Sequence, residues 1–185
     1  MLRKHKYLST GKRVHVSEPA AGDENEFINL MRISTRLHRG FVSPPTEPAA
    51  FRAFLAHCGT HNSQCYLVRV NESRAIVGLF NLSQIFMGGF RSAYLGYYAG
   101  APFAGQGYMS EGLQLVMRDA FKRLKLHRIE ANIQPNNTSS IALVTRAGFS
   151  REGYSRRYLK IGGLWRDHER WAILLEDWRR AKSSQ

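Results

Sequence analysis

A predicted strand passes straight into a glycine pair and then into a long amphipathic helix, and that junction constrains the architecture of the chain more than any other feature. The strand covers 92–98, and the helix covers 108–125. In the helix Leu113, Val116, Met117, Ala120, Phe121 and Leu124 recur at i, i+3, i+4, i+7, i+8 and i+11, one apolar stripe. Between them lies Gly100-Ala101-Pro102-Phe103-Ala104-Gly105-Gln106-Gly107. Gly105 and Gly107 allow the backbone to approach a ligand, and the amides of a helix N-terminus carry partial positive charge, which together suit a phosphate. No Lys-Ser/Thr pair follows the glycines, so this is not a P-loop. The dinucleotide fingerprint also fails, for want of a third glycine at the proper spacing and of a strand-helix-strand unit ending in an acidic residue. A tightly packed turn is the plain alternative.

The remaining elements follow from periodicity. Residues 13–16 alternate as a strand, and Asp23 is placed to cap a helix running through Phe27, Leu30, Met31 and Ser34. Pro44 and Pro45 mark a loop, after which 46–57 reads as a second helix with Phe51, Phe54 and Leu55 inward. Strands are expected at 64–70 and 75–83 ahead of the one at 92–98, with a turn at 71–74. After the long helix come a strand at 128–133, a short helix at 141–147 closed by Gly148, and a hairpin of 154–161 and 164–175 around Gly162-Gly163. The expected fold class is therefore α/β (α+β, mixed sheet). One domain spans 1–185, with 1–12 and 177–185 as peripheral tails and fraying from Glu176 onward.

Composition narrows the partners. Lys and Arg number 27 against 14 Asp and Glu, a net charge of +13, with basic residues gathered at Arg3, Lys4, Lys6, Lys12 and Arg13, at Arg32, Arg36 and Arg39, and from Arg151 to Lys182. Such an excess favours polyanions, RNA or a nucleotide cofactor, through long-range attraction; solubility alone is the other reading. No apolar stretch approaches a membrane span and no secretory signal follows the basic start, so no membrane partner is expected. Cys58 and Cys65 make no disulfide framework, which suits a reducing, cytoplasmic setting.

From 92 to 175 the chain resembles the GNAT acyltransferase superfamily, specifically the ribosomal-protein-alanine N-acetyltransferases of the RimJ type. The runs that carry the resemblance are Tyr94-Leu95-Gly96-Tyr97, Gly105-Gln106-Gly107-Tyr108-Met109-Ser110-Glu111 and His127-Arg128-Ile129-Glu130-Ala131-Asn132. Pro135-Asn136-Asn137-Thr138-Ser139-Ser140, Gly148-Phe149-Ser150-Arg151-Glu152-Gly153-Tyr154 and Trp165-Arg166-Asp167-His168 complete it in order and spacing. The resemblance implies a GNAT-like single domain with splayed fourth and fifth strands and a C-terminal hairpin, with acetyl-CoA as co-substrate in the splay and no metal. The amides of Gly105, Gln106, Gly107, Tyr108 and Met109 would hold the pyrophosphate, and the backbone of Tyr97, Tyr98 and Ala99 would pair with the pantetheine arm. Asn132, Asn137 and Ser140 complete the coenzyme A site by the same likeness, Asn137 being equally an ordinary helix N-cap. The superfamily pattern has Gln or Arg where this chain has Pro102.

The resemblance also implies the chemistry. The acceptor amine attacks the thioester directly, and relatives place a base at Glu152, with Glu111 and Glu130 as weaker choices. A backbone amide of the fourth strand would meet the oxyanion. Many relatives use a tyrosine where this chain has Val144, so the departing thiolate needs its proton from Ser140, water or solvent. The acceptor implied is the alanine terminus of a small-subunit ribosomal protein, with ribosome or RNA contact through the basic surface. A small-molecule amine, or a non-catalytic RNA-associated role, stands as the alternative.

Other clusters carry less. His57, Cys58, His61 and Cys65 match no zinc spacing, and thioester aminolysis needs no cysteine nucleophile. Asp167 and His168 are strand neighbours, hence on opposite faces. Trp165 and Trp171 read as packing residues.

Overall fold

The chain's structure is a computed structural model that describes residues 7–183; the basic residues Arg3, Lys4 and Lys6 lie outside them. The strands are β1 (Tyr7–Thr10), β2 (Val14–Ser17), β3 (Gln64–Val70), β4 (Ile76–Phe86), β5 (Ser92–Ala99), β6 (Arg128–Ile133), β7 (Ser150–Ile161) and β8 (Leu164–Leu174). They form one sheet in the order β1-β2-β3-β4-β5-β6-β8-β7. Every neighbouring pair is antiparallel except β5 and β6, which run parallel. The helices are α1 (Glu24–Ile33), α2 (Thr35–His38), α3 (Pro48–Cys58), α4 (Tyr108–Lys122), α5 (Thr138–Arg146) and α6 (Leu175–Ser183).

The central strands are buried on both faces. Tyr66, Val68 and Phe80 point into a core with Leu113, Val116 and Phe121 of α4, while Leu67 and Leu79 point into a second core with Phe27 and Met31 of α1 and Phe51 of α3. Each such side chain contributes roughly 1.5–3 kcal/mol through burial. Gly112 lets α4 lie close to β3, since a Cβ there would meet Val68 Cγ2 at 2.9 Å.

The parallel pair is short. β5 and β6 are registered only at Ser92–Arg128, Ala93–Ile129 and Tyr94–Glu130. Beyond that β5 stays on β4 as far as Ala99, and β6 stays on β8 as far as Ile133, so the two strands diverge. This is the splay implied between the fourth and fifth strands. They are β5 and β6 here because Tyr7–Thr10 adds a strand that the sequence reading left in a tail.

Four expectations are corrected. Asp23 is the N-cap residue of α1 but gives it no side-chain cap: its buried carboxylate accepts the Ala20 amide at 2.7 Å and pairs with Arg69 Nη2 at 2.5 Å, because a buried guanidinium requires a counter-charge. The chain turns on beyond Ser34 into α2, which the reading left out. Residues 177–183 are no frayed tail but the body of α6, anchored by buried Trp178, whose ring lies 5.3 Å from that of Phe121. Finally, Cys58 and Cys65 form a disulfide, because the turn between α3 and β3 returns their Cα atoms to 5.4 Å. Among the described residues no helix is long and apolar enough to cross a membrane.

Candidate active site

The divergence of β5 and β6 opens a cleft of about 560 Å³. One wall is the end of β5. Gly100 N donates to Val77 O at 2.8 Å, and antiparallel alternation from that pair turns the backbone of Tyr98 toward Leu79 of β4. The backbone groups of Leu95, Tyr97 and Ala99 accordingly face the cleft. The Tyr98 ring packs against Phe54 and His38 with centroids 6.4 and 6.3 Å away. So of the three residues expected to pair with a ligand, Tyr97 and Ala99 offer backbone groups and Tyr98 buttresses the wall.

The floor is the start of α4. Gly107, its N-cap, has φ 82° and Gly105 has φ 75°, backbone that favours glycine. The first helical hydrogen bond runs from Glu111 N to Gly107 O, which leaves the Tyr108, Met109 and Ser110 amides without helical partners. The loop is pinned from two directions: Gln106 Nε2 donates to Pro102 O at 2.7 Å, and Arg13 Nη1 donates to Gln106 O at 3.0 Å. Arg13 also lies over the Tyr108 ring at 4.7 Å. Next to the cleft a second cavity of about 300 Å³ is lined by Arg13 and Arg146, which adds two guanidinium groups beside the free amides. Arg146 sits in the last turn of α5 and carried no sequence signal.

Glu111 is committed elsewhere. Its carboxylate accepts the amides of Arg13 and Val14 and the Arg13 Nε. Burial alone would raise its pKa, but these hydrogen bonds outweigh it and hold the group below the ordinary value.

The opposite wall comes from β6 and α5. Asn137 Oδ1 accepts Ser140 N at 3.1 Å, a true N-cap, so α5 starts at Thr138, earlier than expected. Burial pushes the Tyr97 hydroxyl up to about 12, Ser140 beside it acting in the opposite sense, and the hydroxyl is buried without a hydrogen-bond partner. Asn132 lines the cleft with its Oδ1 buried and without a hydrogen-bond partner. Val144 is fully buried in the core.

Glu152 lies on β7, outside the residues that line the cleft. Both of its oxygens bind the Arg128 guanidinium, one to Nη1 at 3.0 Å and the other to Nη2, and this pairing holds the carboxyl below its ordinary pKa. Glu130 occupies the remaining edge of the same guanidinium, Nε to Oε1 at 2.9 Å.

Two histidines line the cleft that the sequence reading did not place there. His38 donates Nε2–H to Ala99 O at 2.8 Å, since a carbonyl only accepts, and its Nδ1 is buried without a partner. His168 donates Nδ1–H to Arg166 O at 3.0 Å. Burial lowers both pKa values, so both rings are neutral at pH 7. Asp167 points away, to Tyr154 Oη at 2.6 Å and Arg157 N at 2.7 Å, so the two neighbours do occupy opposite faces. Among the described residues no three His, Cys, Asp or Glu side chains converge to hold a metal.

Known proteins resemble this chain. The profile of the acetyltransferase (GNAT) domain matches residues 13–150. The probable N-acetyltransferase YjcK of Bacillus subtilis (strain 168) is 42% identical over 102 residues, 55% of this chain and 56% of that protein. The ribosomal protein uS5-alanine N-acetyltransferase of Escherichia coli (strain K12) is 40% identical over 107 residues, 58% of this chain and 55% of that protein. The chain thus spans about half the length of the curated relatives it matches. The fold is that of Mycobacterium smegmatis RimJ, solved in complex with CoA-disulfide, at TM-score 0.82 and 22% identity, covering 97% of this chain and 92% of that one.

Proposed function

Because the chain belongs to the GNAT acetyltransferase family, we propose that it transfers an acetyl group from acetyl-CoA to a primary amine, first among them the N-terminal alanine α-amine of a small-subunit ribosomal protein. The observation that carries this reading is the splay of β5 and β6 ending on the unpartnered amides of α4. An extended, amide-bearing thiol carrier with a pyrophosphate at one end fits that shape: hydrogen-bonding groups along the strand, an anion site at the helix.

In this reading the Gln106–Ser110 backbone, with Arg13 and Arg146 nearby, holds the pyrophosphate. The backbone of Leu95, Tyr97 and Ala99 pairs with the pantetheine arm, and Asn132 and Asn137 bound its far side. A β5 amide facing the cleft meets the charge that develops on the thioester oxygen. The Ser140 hydroxyl, which lines the cleft, passes a proton to the departing thiolate, a role Val144 cannot take.

The acceptor follows from charge and likeness. On the outer faces of α4 and α6 the Lys182 ammonium is disfavoured by burial and by Arg118 and Lys122 beside it, a basic cluster suited to RNA near a ribosomal substrate in the cytoplasm. If that contact is electrostatic, ribosome binding weakens steeply with added salt. Thiol release from acetyl-CoA tests the function, with peptides beginning with alanine, serine or methionine offered beside a polyamine and an aminoglycoside. Preferential turnover of the alanine peptide is expected. Turnover of a small amine alone would move the acceptor to that class, and coenzyme binding without turnover of any amine would overturn the enzymatic reading.

A further inference from the structure

The cleft wall is rich in hydrogen-bond acceptors that lack donors. Asn132 Oδ1 and His38 Nδ1 are both buried and unpartnered. In His168 the Arg166 carbonyl fixes the proton on Nδ1, so Nε2 carries the lone pair of the neutral ring. Asn132 lies opposite Arg170 in the β6–β8 ladder, and His168, two residues along, shares its face. An ammonium group brings three N–H donors and no acceptor, the complement of Asn132 Oδ1 and His168 Nε2.

We propose that His168 Nε2 is the base that takes the proton from the acceptor's ammonium group, an inference that rests on the acetyltransferase reading above. His38 is excluded as the base because its free nitrogen is sealed from water and its other nitrogen is spent on Ala99, which leaves a captured proton no exit. Glu152 is tied by both oxygens to Arg128 and lies outside the cleft lining.

The step balances. The ammonium gives one proton to Nε2, which becomes the N–H of an imidazolium. The amine lone pair then forms the bond to the thioester carbon. As the tetrahedral adduct collapses, the carbon–sulfur bond breaks and the second amine proton passes by way of Ser140 to the thiolate. His168 returns its proton to water, so amide, coenzyme A thiol and one free proton are formed.

The charged and titratable groups near the ring are Asp167 and Arg170 on β8, Tyr158 on β7 with its ring 6.2 Å away, and His38 and Arg146, which line the same cleft. Burial is the leading influence on the ring, with the Arg166 carbonyl and then Asp167 acting in the opposite sense.

The test is the pH dependence of kcat/KM for an alanine peptide in wild type and in His168→Asn, whose amide keeps a donor for the Arg166 carbonyl but has no basic nitrogen. Unchanged coenzyme A affinity by calorimetry shows that the variant is folded; if it is not, His168→Gln takes its place. Loss of about 100-fold or more in kcat/KM is expected. The acid limb, which in wild type lies below the ordinary histidine value of 6.5, should move up to the amine's own value near 7.7–8.0. Wild-type kcat/KM and an unmoved limb in the variant would overturn the assignment. So would loss of the limb in Glu152→Gln with its retention in His168→Asn, which would give the role to Glu152. Wild-type protein that binds coenzyme A yet acetylates no amine would instead remove the acetyltransferase reading, and this inference with it.

Discussion

The Glu111 carboxylate accepts the backbone amide of Arg13 at 2.7 Å and the Nε of the same residue at 3.1 Å. One side chain in the first turn of α4 thereby anchors the start of β2 while Arg13 reaches on to the Gln106 carbonyl. The Gly105–Gly107 loop is held from outside by a residue 93 positions away in sequence.

Removing that anchor has a stability signature. Glu111→Ala should cost about 1–2 kcal/mol at pH 7, allowing for partial exposure of the pair. The folded pKa lies below the unfolded one, so the contribution is complete above the ordinary value of 4.5 and is lost as pH falls through the folded value. Urea midpoints of wild type and variant should therefore converge below pH 4.5, and a constant gap would show that the charge is not what matters.

The two loop glycines should respond differently to alanine. Both have positive φ, a strain of about 1 kcal/mol for an L side chain. A Cβ on Gly105 meets nothing within 4 Å, whereas one on Gly107 meets Arg13 Nη2 at 3.2 Å. Coenzyme A affinity measured by calorimetry should fall several-fold more in Gly107→Ala than in Gly105→Ala.

Ser140→Ala separates binding from chemistry. Asn137 caps α5 through the Ser140 amide, not its hydroxyl, so the helix should stay intact. A fall of about 10- to 100-fold in kcat with little change in KM for acetyl-CoA is expected if the hydroxyl relays the proton. A change confined to KM would make Ser140 a binding residue only.

Trp178→Ala addresses the C-terminal helix. Trp178 is 5% exposed and packs on Phe121 of α4, so its loss should destabilise the fold by roughly 3–5 kcal/mol. A thermal midpoint unchanged from wild type would return these residues to the status of a tail.

What could be read in advance was what local pattern encodes. β3 and β6 fall where alternation put them, and α4 follows its apolar stripe. α6 escaped because Leu175 and Trp178 alone mark its core-facing side in a short, mostly charged segment that follows directly on a strand. The histidines escaped for another reason. His38 ends α2, a short helix beyond the stripe that stops at Ser34, and its hydrogen-bond partner, the Ala99 carbonyl, is 61 residues away. The surroundings of Glu152 were equally hidden, because Arg128 reaches it across 24 residues and two strands. Motif spacing locates a residue along an element, but only the assembled sheet decides what its side chain meets.

Three registered residue pairs between β5 and β6 are all that make one sheet of a five-stranded bank and a three-stranded bank. Mechanically this is an isthmus, and a ligand laid in the gap would act as a missing strand, tying both banks together. Coenzyme A binding should then protect amides on β6 and β8 from hydrogen exchange, although the loop proposed to hold its phosphates follows β5 on the other bank. Occupancy of the groove would be felt as stiffness across the whole width of the sheet.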